Sequence, residues 1–311
     1  MTSKLHIRIA TRGSRLALWQ AQHVQTQLQA AHPGLTSELV VIKTLGDRIL
    51  DTPLAKIGGK GLFIKELEQA LLAHTADLAV HSMKDVPVEL PSELHIPSVL
   101  ARDDPRDCLL APRHGGFRAL PARAVVGTSS LRRRSQILSR RTDLELRELR
   151  GNVTTRLTKL TNLEFDGIVL AAAGLHRLGL TGAITEYFAV TDMLPAIGQG
   201  IIGIECRRDD RRTIDLLRVV EDRDARDALT AERALNAALQ GGCQVPIAGH
   251  ATVAGDSLQI DGLVASLDGQ VTVRASRVGA RSAAADLGAE LGAALLAAGA
   301  ANILAEVAAT A

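Results

Sequence analysis

Short apolar runs alternate with stretches of helical spacing along the first two thirds of the chain, and this alternation is its strongest constraint. Leu5–Thr11, Ser37–Thr44, Asp77–Ser82 and His95–Leu100 read as strands. Ser14–Ala31, with Ser14 as N-cap, reads as a helix, as does Leu62–Ala73, whose Phe63, Leu67, Ala70 and Leu71 share one stripe. Leu45–Gly61 reads as a loop carrying Gly and Lys. Asp103–Asp107 reads as a boundary turn, and beyond it the pattern returns. Ala124–Gly127, Glu145–Leu149 and Gly167–Ala171 are expected strands, with helices opening at Ser129 and Asn152. Buried strands joined by helices imply parallel α/β sheets covered on both faces.

The character then changes. Ile201–Glu205 reads as a strand, about Asp209–Val219 as a helix, and Asp222–Gln240 as a long helix ended by Gly241-Gly242. Pro246–Val253, Ser257–Ser266 and Gln270–Ser276 alternate with period two between turns such as Asp268-Gly269, an antiparallel meander. Ala-rich helices follow from about Arg281. A chain of 311 residues holds about two or three domains. The pattern assigns two α/β domains and a smaller C-terminal α+β domain, with no internal repeat visible. Aromatic residues are only 2%, so Leu, Ile, Val and Ala must fill the cores.

Several classes are set aside by composition. Met1–Arg12 contains no apolar core of a secretory signal, and the apolar run Leu291–Ala301 is too short to span a bilayer. Three cysteines without C-x-x-C spacing argue against a disulfide framework or a zinc site and fit a reducing cytoplasm. The net charge of +2 hides a basic middle: residues 101–160 carry 14 Lys and Arg against 6 Asp and Glu, and 13 of those cations are Arg. Forked guanidinium groups match carboxylate and phosphate. Phe117 is the only aromatic in that stretch, so a base-stacking platform is disfavoured and a small polycarboxylate fits as well as nucleic acid.

Two segments share one design. Val125–Arg133 runs from strand into Gly127, then Thr128, Ser129 and Ser130, then Arg132 and Arg133. Leu149–Arg156 runs into Gly151 and the cap Asn152, flanked by Arg150 and Arg156. Helix N-termini offer free N–H groups and a positive dipole end, a ready anion site, although ordinary capping beside solvated Arg makes the same pattern. Lys56 and Lys60 lie in a Gly-Lys loop that lacks the P-loop spacing. His81–Pro87 falls where a strand ends, so Asp85 is either an acid/base group or a turn former. Cys243 follows Gly241-Gly242 and is either a small buried group or a thiol with room for a covalent partner, whereas Cys108 and Cys206 read as core.

Taken together, these stretches resemble the hydroxymethylbilane synthase (porphobilinogen deaminase) family. The resemblance spans nearly the whole chain. It rests on Ile9–Ser14 with Leu16–Gln20, Gly58–Phe63, His81–Pro87, Gly127–Arg133, Leu149–Asn152, Leu194–Gly200, Glu232-Arg233 and Gly241–Pro246. It implies a transferase of porphyrin and haem biosynthesis that joins porphobilinogen head to tail, releasing ammonia, into the linear tetrapyrrole hydroxymethylbilane. A dipyrromethane cofactor is implied as a thioether on Cys243, with Asp85 as the catalytic carboxylate. The implied binding residues are Arg12, Lys56, Lys60, Lys84, Arg132, Arg133, Arg150, Arg156 and Arg177, with Ser14, Thr128, Ser129 and Ser130 as hydroxyl partners.

The family fold implies two doubly wound α/β domains like a two-lobed periplasmic binding protein, plus the C-terminal α+β domain. The expected boundaries are 1–100 with 200–219, 106–194, and 222–311. Arg15 stands where a close bacterial relative is expected to have proline, and the Arg run extends to Arg134. The expectation is a cytoplasmic monomer that takes porphobilinogen and binds no metal, nucleic acid or membrane. A non-catalytic anion-binding protein would give Cys243 no role, and a nucleic-acid binder would leave Lys84-Asp85 unexplained.

Overall fold

The computed structural model describes residues 5–48, 61, 63–241 and 245–310. The chain opens with β1 (His6–Arg12), α1 (Arg15–Ala31), β2 (Thr36–Ile42) and a single turn, α2 (Leu45–Arg48), at the start of the expected loop. Then come α3 (Lys65–Leu72), β3 (Leu78–Ser82) and β4 (Leu94–Val99). Next are β5 (Asp107–Leu110), β6 (Val125–Gly127), α4 (Leu131–Leu138), β7 (Glu145–Arg147) and α5 (Val153–Thr161). They are followed by β8 (Gly167–Ala171), α6 (Ala172–Arg177), β9 (Glu186–Tyr187), β10 (Ile202–Arg207) and α7 (Arg211–Leu217). The C-terminal part holds α8 (Arg223–Ala238), β11 (Ile247–Ala254), β12 (Ser257–Ala265), β13 (Thr272–Ala280), α9 (Ala284–Leu295) and α10 (Ala301–Thr310).

Two compact units result. Of the described residues, the first comprises those up to Arg102 together with Ile201–Arg226, and the second comprises those of Asp103–Gly200 and from Asp227 onward. The first is built on a sheet of order β2-β1-β3-β10-β4. Ile7, Ile9, Leu78 and Ile204 join Val24 and Leu28 of α1 in one core, while Ala10 and Ala79 meet Leu67 and Leu71 of α3 in another. Both faces are therefore covered, and each fully buried Leu or Ile contributes about 1.5–3 kcal/mol of transfer free energy. The second unit carries a sheet of order β7-β6-β8-β5-β9 and a separate three-stranded antiparallel sheet, β11-β12-β13.

The α/β sheets are mixed rather than all parallel. β10 runs antiparallel to β3 and β4, and β5 antiparallel to β8 and β9. Each is the strand on which the chain arrives from the other unit, with no crossover helix to turn it round. β5 also begins at Asp107, inside what reads in sequence as a boundary turn, because that carboxylate is consumed internally, as described below. Strand β13 reaches Ala280, four residues beyond the expected Ser276, in continuous register with β12.

The C-terminal core joins Leu235 of α8 and Leu239 just past its end to Ile260, Val264, Leu291 and Leu295. The helical stretch Arg281–Ala309 is long and apolar enough to cross a membrane, longer than the run Leu291–Ala301 suggests because Ala-rich flanks extend it. Its Leu287, Leu291, Leu295 and Ile303 are spent in this core, and Gly299 breaks it with φ +107°. α8 and α9 approach closely: a Cβ at Gly288 would overlap the Ala231 carbonyl oxygen, and one at Gly292 would overlap the Ala238 methyl. Gly288→Ala should therefore cost about 1–3 kcal/mol by overpacking. Gly182→Ala, where a Cβ meets nothing within 4 Å, should stay within about 0.5 kcal/mol. Urea unfolding of the two variants beside wild type checks the contrast.

Candidate active site

In the first unit the candidate residues gather at the carboxyl edge of the parallel strands, where α/β sheets place ligands. β1 ends at Arg12, whose guanidinium lies 4.2 Å from the Phe63 ring centroid. Ser14 caps α1 by accepting the Ala17 N–H at 3.2 Å, and the Thr11 hydroxyl donates to the Ala17 carbonyl at 3.1 Å. β3 ends at Ser82 and passes into a single 3₁₀ turn, Met83–Asp85. That turn is pinned at both ends: Met83 N–H donates to the Ile201 carbonyl at 3.0 Å, and Val86 N–H to the Met83 carbonyl at 3.2 Å. Met83 is buried, Lys84 half-buried and Asp85 exposed, so the carboxylate stands in water on a fixed backbone. On β3 itself, buried His81 meets buried Glu205 of β10 at 2.8 Å.

In the second unit, β6 and β7 run parallel with Gly127 opposite Arg147, and both expected helix starts follow their carboxyl ends. Ser130 caps α4 by accepting the Arg133 N–H, and Asn152 caps α5 by accepting the Thr155 N–H at 3.0 Å. The Ser129 hydroxyl donates to the Leu149 carbonyl, tying the two turns together, and Ser130 N–H donates to the Thr128 hydroxyl at 3.2 Å. Gly151 between them holds φ +106°, and a Cβ there would collide with Thr155. Arg156 donates to the Gly151 carbonyl at 2.9 Å, and Arg150 lies 3.8 Å from Glu148.

Arg132 and Arg133 do not stand with these donors. Both are buried and turn inward onto Asp107, which is 0% exposed. Arg133 gives Asp107 Oδ1 bonds of 3.0 and 2.8 Å, and Arg132 Nη1 lies 2.8 Å from Oδ2. Arg133 also donates to the Val169 carbonyl and Arg132 to the Leu194 carbonyl, and Gln199 Nε2 donates to Asp107 at 2.9 Å. Burial alone would push the Asp107 carboxyl up; the charges of Arg132 and Arg133 outweigh it and hold the group well below the usual carboxylate range. Arg177 is likewise buried, 3.3 Å from Asp103 and donating to the Gly200 carbonyl at 2.6 Å.

Lys56, Lys60 and Cys243 lie outside the described residues. The other two cysteines are core residues, as expected, and burial pushes the Cys108 and Cys206 thiols up to about 12. Among the described residues no group of three or more His, Cys, Asp or Glu is placed to hold a metal. Cavities of about 540 and 560 Å³ in the first unit, lined by residues such as Leu100 and Val220 or Leu72 and Arg208, include none of the candidate residues. Sequence reading missed Asp107, Gln199 and Glu205 as partners. The available signal was a lone charge at the edge of each apolar run, Asp107 before Cys108–Ala111 and Glu205 within Ile201–Cys206.

Residues 7–215 match the family model described as porphobilinogen deaminase, dipyromethane cofactor binding domain, and residues 227–297 match porphobilinogen deaminase, C-terminal domain. A porphobilinogen deaminase from Syntrophobacter fumaroxidans is 53% identical over 307 residues, covering 99% of each chain. One from Syntrophotalea carbinolica is 53% identical over 301 residues, covering 97% of this chain and 96% of that protein. Among solved structures, the periplasmic aliphatic sulphonate binding protein SsuA from Escherichia coli aligns at 13% identity with TM-score 0.40, over 76% of this chain and 71% of that one. The chain belongs to the porphobilinogen deaminase family.

The Asp107 cluster sets a stability test. Asp107→Asn would leave two guanidinium groups buried against a neutral amide and should cost about 3–5 kcal/mol. Because the folded pKa is depressed, the contribution is fully present above the ordinary carboxylate pKa of about 4 and is lost as pH falls through the lower folded value. Urea midpoints measured from pH 7 down to about pH 3 should therefore fall less steeply for Asp107→Asn than for wild type.

Proposed function

We propose that the chain catalyses the porphobilinogen deaminase reaction of porphyrin and haem biosynthesis. Porphobilinogen is joined head to tail with release of ammonia into hydroxymethylbilane, primed by a dipyrromethane on Cys243. The observation that carries this reading is the exposed Asp85 on a doubly pinned turn at a strand end, next in sequence to Lys84. Loss of ammonia from the aminomethyl arm leaves an electron-poor azafulvene, positively charged when protonated. A carboxylate held on rigid backbone opposes that cation without reorganising, accepts the pyrrole N–H, and exchanges a proton during ammonia loss.

Each porphobilinogen carries an acetate and a propionate, so the ligand is a polycarboxylate. The donors assigned to it suit it: hydroxyls of Ser14, Thr128, Ser129 and Ser130, cations Arg12, Lys84, Arg150 and Arg156, and the helix starts at Ser130 and Asn152, while Arg177 is buried against Asp103. Lys56 and Lys60 belong to the same set by sequence. Arg132 and Arg133 act from within: two guanidinium charges against one Asp107 carboxylate leave a net positive charge beneath the start of α4. The same donor set fits the dipyrromethane, which when bound supplies the pyrrole carbon to which the first porphobilinogen is joined.

Cys243 is the attachment point we assign, supported by the inert, buried state of Cys108 and Cys206. We place the protein in the cytoplasm as a monomer without nucleic-acid or membrane partners. Phe117, the aromatic of the Arg-rich stretch, is buried edge-on to Phe188 and offers no stacking surface.

Wild-type protein incubated with porphobilinogen should release ammonia, and its intact mass should exceed the sequence mass by two linked pyrrole units. Cys243→Ala should lack that excess, and an unmodified, fully active protein would overturn the assignment. Asp85→Asn should melt within a few degrees of wild type yet lose on the order of 10²–10³ in single-turnover ammonia release. A collapse of the melting temperature would make Asp85 a structural turn residue instead.

A further inference from the structure

We propose that Glu232 is a positioning residue that sets the C-terminal end of α8 against the buried arginines Arg132 and Arg177 of the same unit. The inference rests on Cys243 carrying the cofactor.

β11 is an outer strand of its sheet, so every second N–H on its free side needs a partner from elsewhere. Two find one: Gly249 N–H donates to the Pro195 carbonyl at 3.1 Å, and Ala251 N–H donates to Glu232 Oε1 at 2.8 Å. Glu232 is 0% exposed, and its other oxygen accepts the Gly198 N–H at 2.6 Å. One carboxylate on α8 thus bridges the edge strand and the segment Leu194–Gly200, which lies along that edge without pairing as a strand. Gly198 and Gly200 hold φ +69° and +90°, a path that a side chain would oppose.

The far side of the same segment meets the arginines. Leu194 N–H donates to Gln136 Oε1 at 2.7 Å, and its carbonyl accepts from Arg132 at 2.7 Å and Gln136 at 3.0 Å. The Gln199 side chain donates to Asp107, the carboxylate shared by Arg132 and Arg133, and the Gly200 carbonyl accepts from Arg177 at 2.6 Å. Seven consecutive residues therefore touch Arg132, Asp107 and Arg177 on one side and β11 on the other. Glu232 fastens them to α8, which ends at Ala238, five residues before Cys243 in the sequence. A shift of this strap changes where α8 delivers its C-terminal end relative to those arginines. Displacements of about 1 Å in such frameworks cost up to ~10²-fold in rate.

Glu232→Gln keeps the shape but turns an NH₂ group toward one of two N–H donors. Folded apoprotein of this variant and of wild type should be mixed with porphobilinogen and followed by intact mass, with thermal unfolding alongside. The expected result is loading with two pyrrole units slowed on the order of tenfold in folded, monodisperse protein, and elongation intermediates that persist. Loading and elongation at the wild-type rate per folded molecule, with only the melting temperature lowered, would make Glu232 merely structural and overturn the proposal. Wild type that never gains mass at Cys243 would instead refute the attachment site.

Should Glu232→Gln fail to fold, hydrogen exchange on the full-length Cys243→Ser protein decides the matter. Gly198 and Ala251 amides should exchange together, at least about a hundredfold slower than unstructured peptide. Free exchange at either amide would show that no clamp exists before the cofactor arrives, and would overturn the proposal.

Discussion

An ionised carboxylate sealed from water must be neutralised where it lies, and in the second unit Asp107 imposes that demand on everything around it. It enters the sheet as the first residue of β5, beside Ala171 at the end of β8. Arg132 and Arg133 can answer it because they occupy the first turn of α4, directly after β6. Cations at a helix start oppose the helix dipole, so their position makes sense only with an anion in reach, and here that anion is internal. Gln199 completes the cage from the Leu194–Gly200 segment. The strand, the helix, the adjacent β8 backbone and the strap are thus held by a single balance of charge.

This balance changes the meaning of the basic stretch at residues 101–160. Its Arg excess looks in sequence like a surface prepared for a polyanion. In the fold, Arg132 and Arg133 meet Asp107, Arg106 meets Asp104, Arg113 meets Asp166, and Arg141 meets Asp143. The exposed pairs contribute little individually. The candidate donors for a ligand form a more directional set: hydroxyls, two capped helix starts, and Arg150 and Arg156 near the second of them. Such a set suits the carboxylates of the ligand we propose.

The legible and illegible parts of the molecule divide along one physical line. Local signals were readable: Ser14, Ser130 and Asn152 cap the helices that follow them, and the C-terminal meander pairs in the order its period-two pattern implies. Sheet order was not, because nothing local tells β10 to enter between β3 and β4, or β5 between β8 and β9. For the same reason the inward turn of Arg132 and Arg133 was hidden: an Arg at a helix start looks identical whether its counter-ion is a ligand or a carboxylate 26 positions back. No repeat is visible in the sequence, yet the two five-stranded sheets share one topology. β7-β6-β8-β5-β9 reproduces β2-β1-β3-β10-β4 strand for strand, including the antiparallel member.

That shared antiparallel strand explains why both sheets brace the candidate groups at the same edge. Parallel strands deliver helix starts and turns to their carboxyl ends, but those ends have no backbone support of their own beyond the sheet. An antiparallel neighbour begins where they finish. In the first unit, Ile202 pairs with Ser82, so the Ile201 carbonyl just ahead of β10 is in place to accept the Met83 N–H and hold the turn bearing Asp85. In the second, Asp107 pairs with Ala171, so the first side chain of β5 is in place to anchor the start of α4. The incoming strand thus supplies a carbonyl in one sheet and a carboxylate in the other, each to the edge where the candidate groups stand. The turn bearing Asp85 and the start of α4 are braced for this reason, and such bracing is what the role we propose for Asp85 requires of a charge that meets a developing cation without first reorganising.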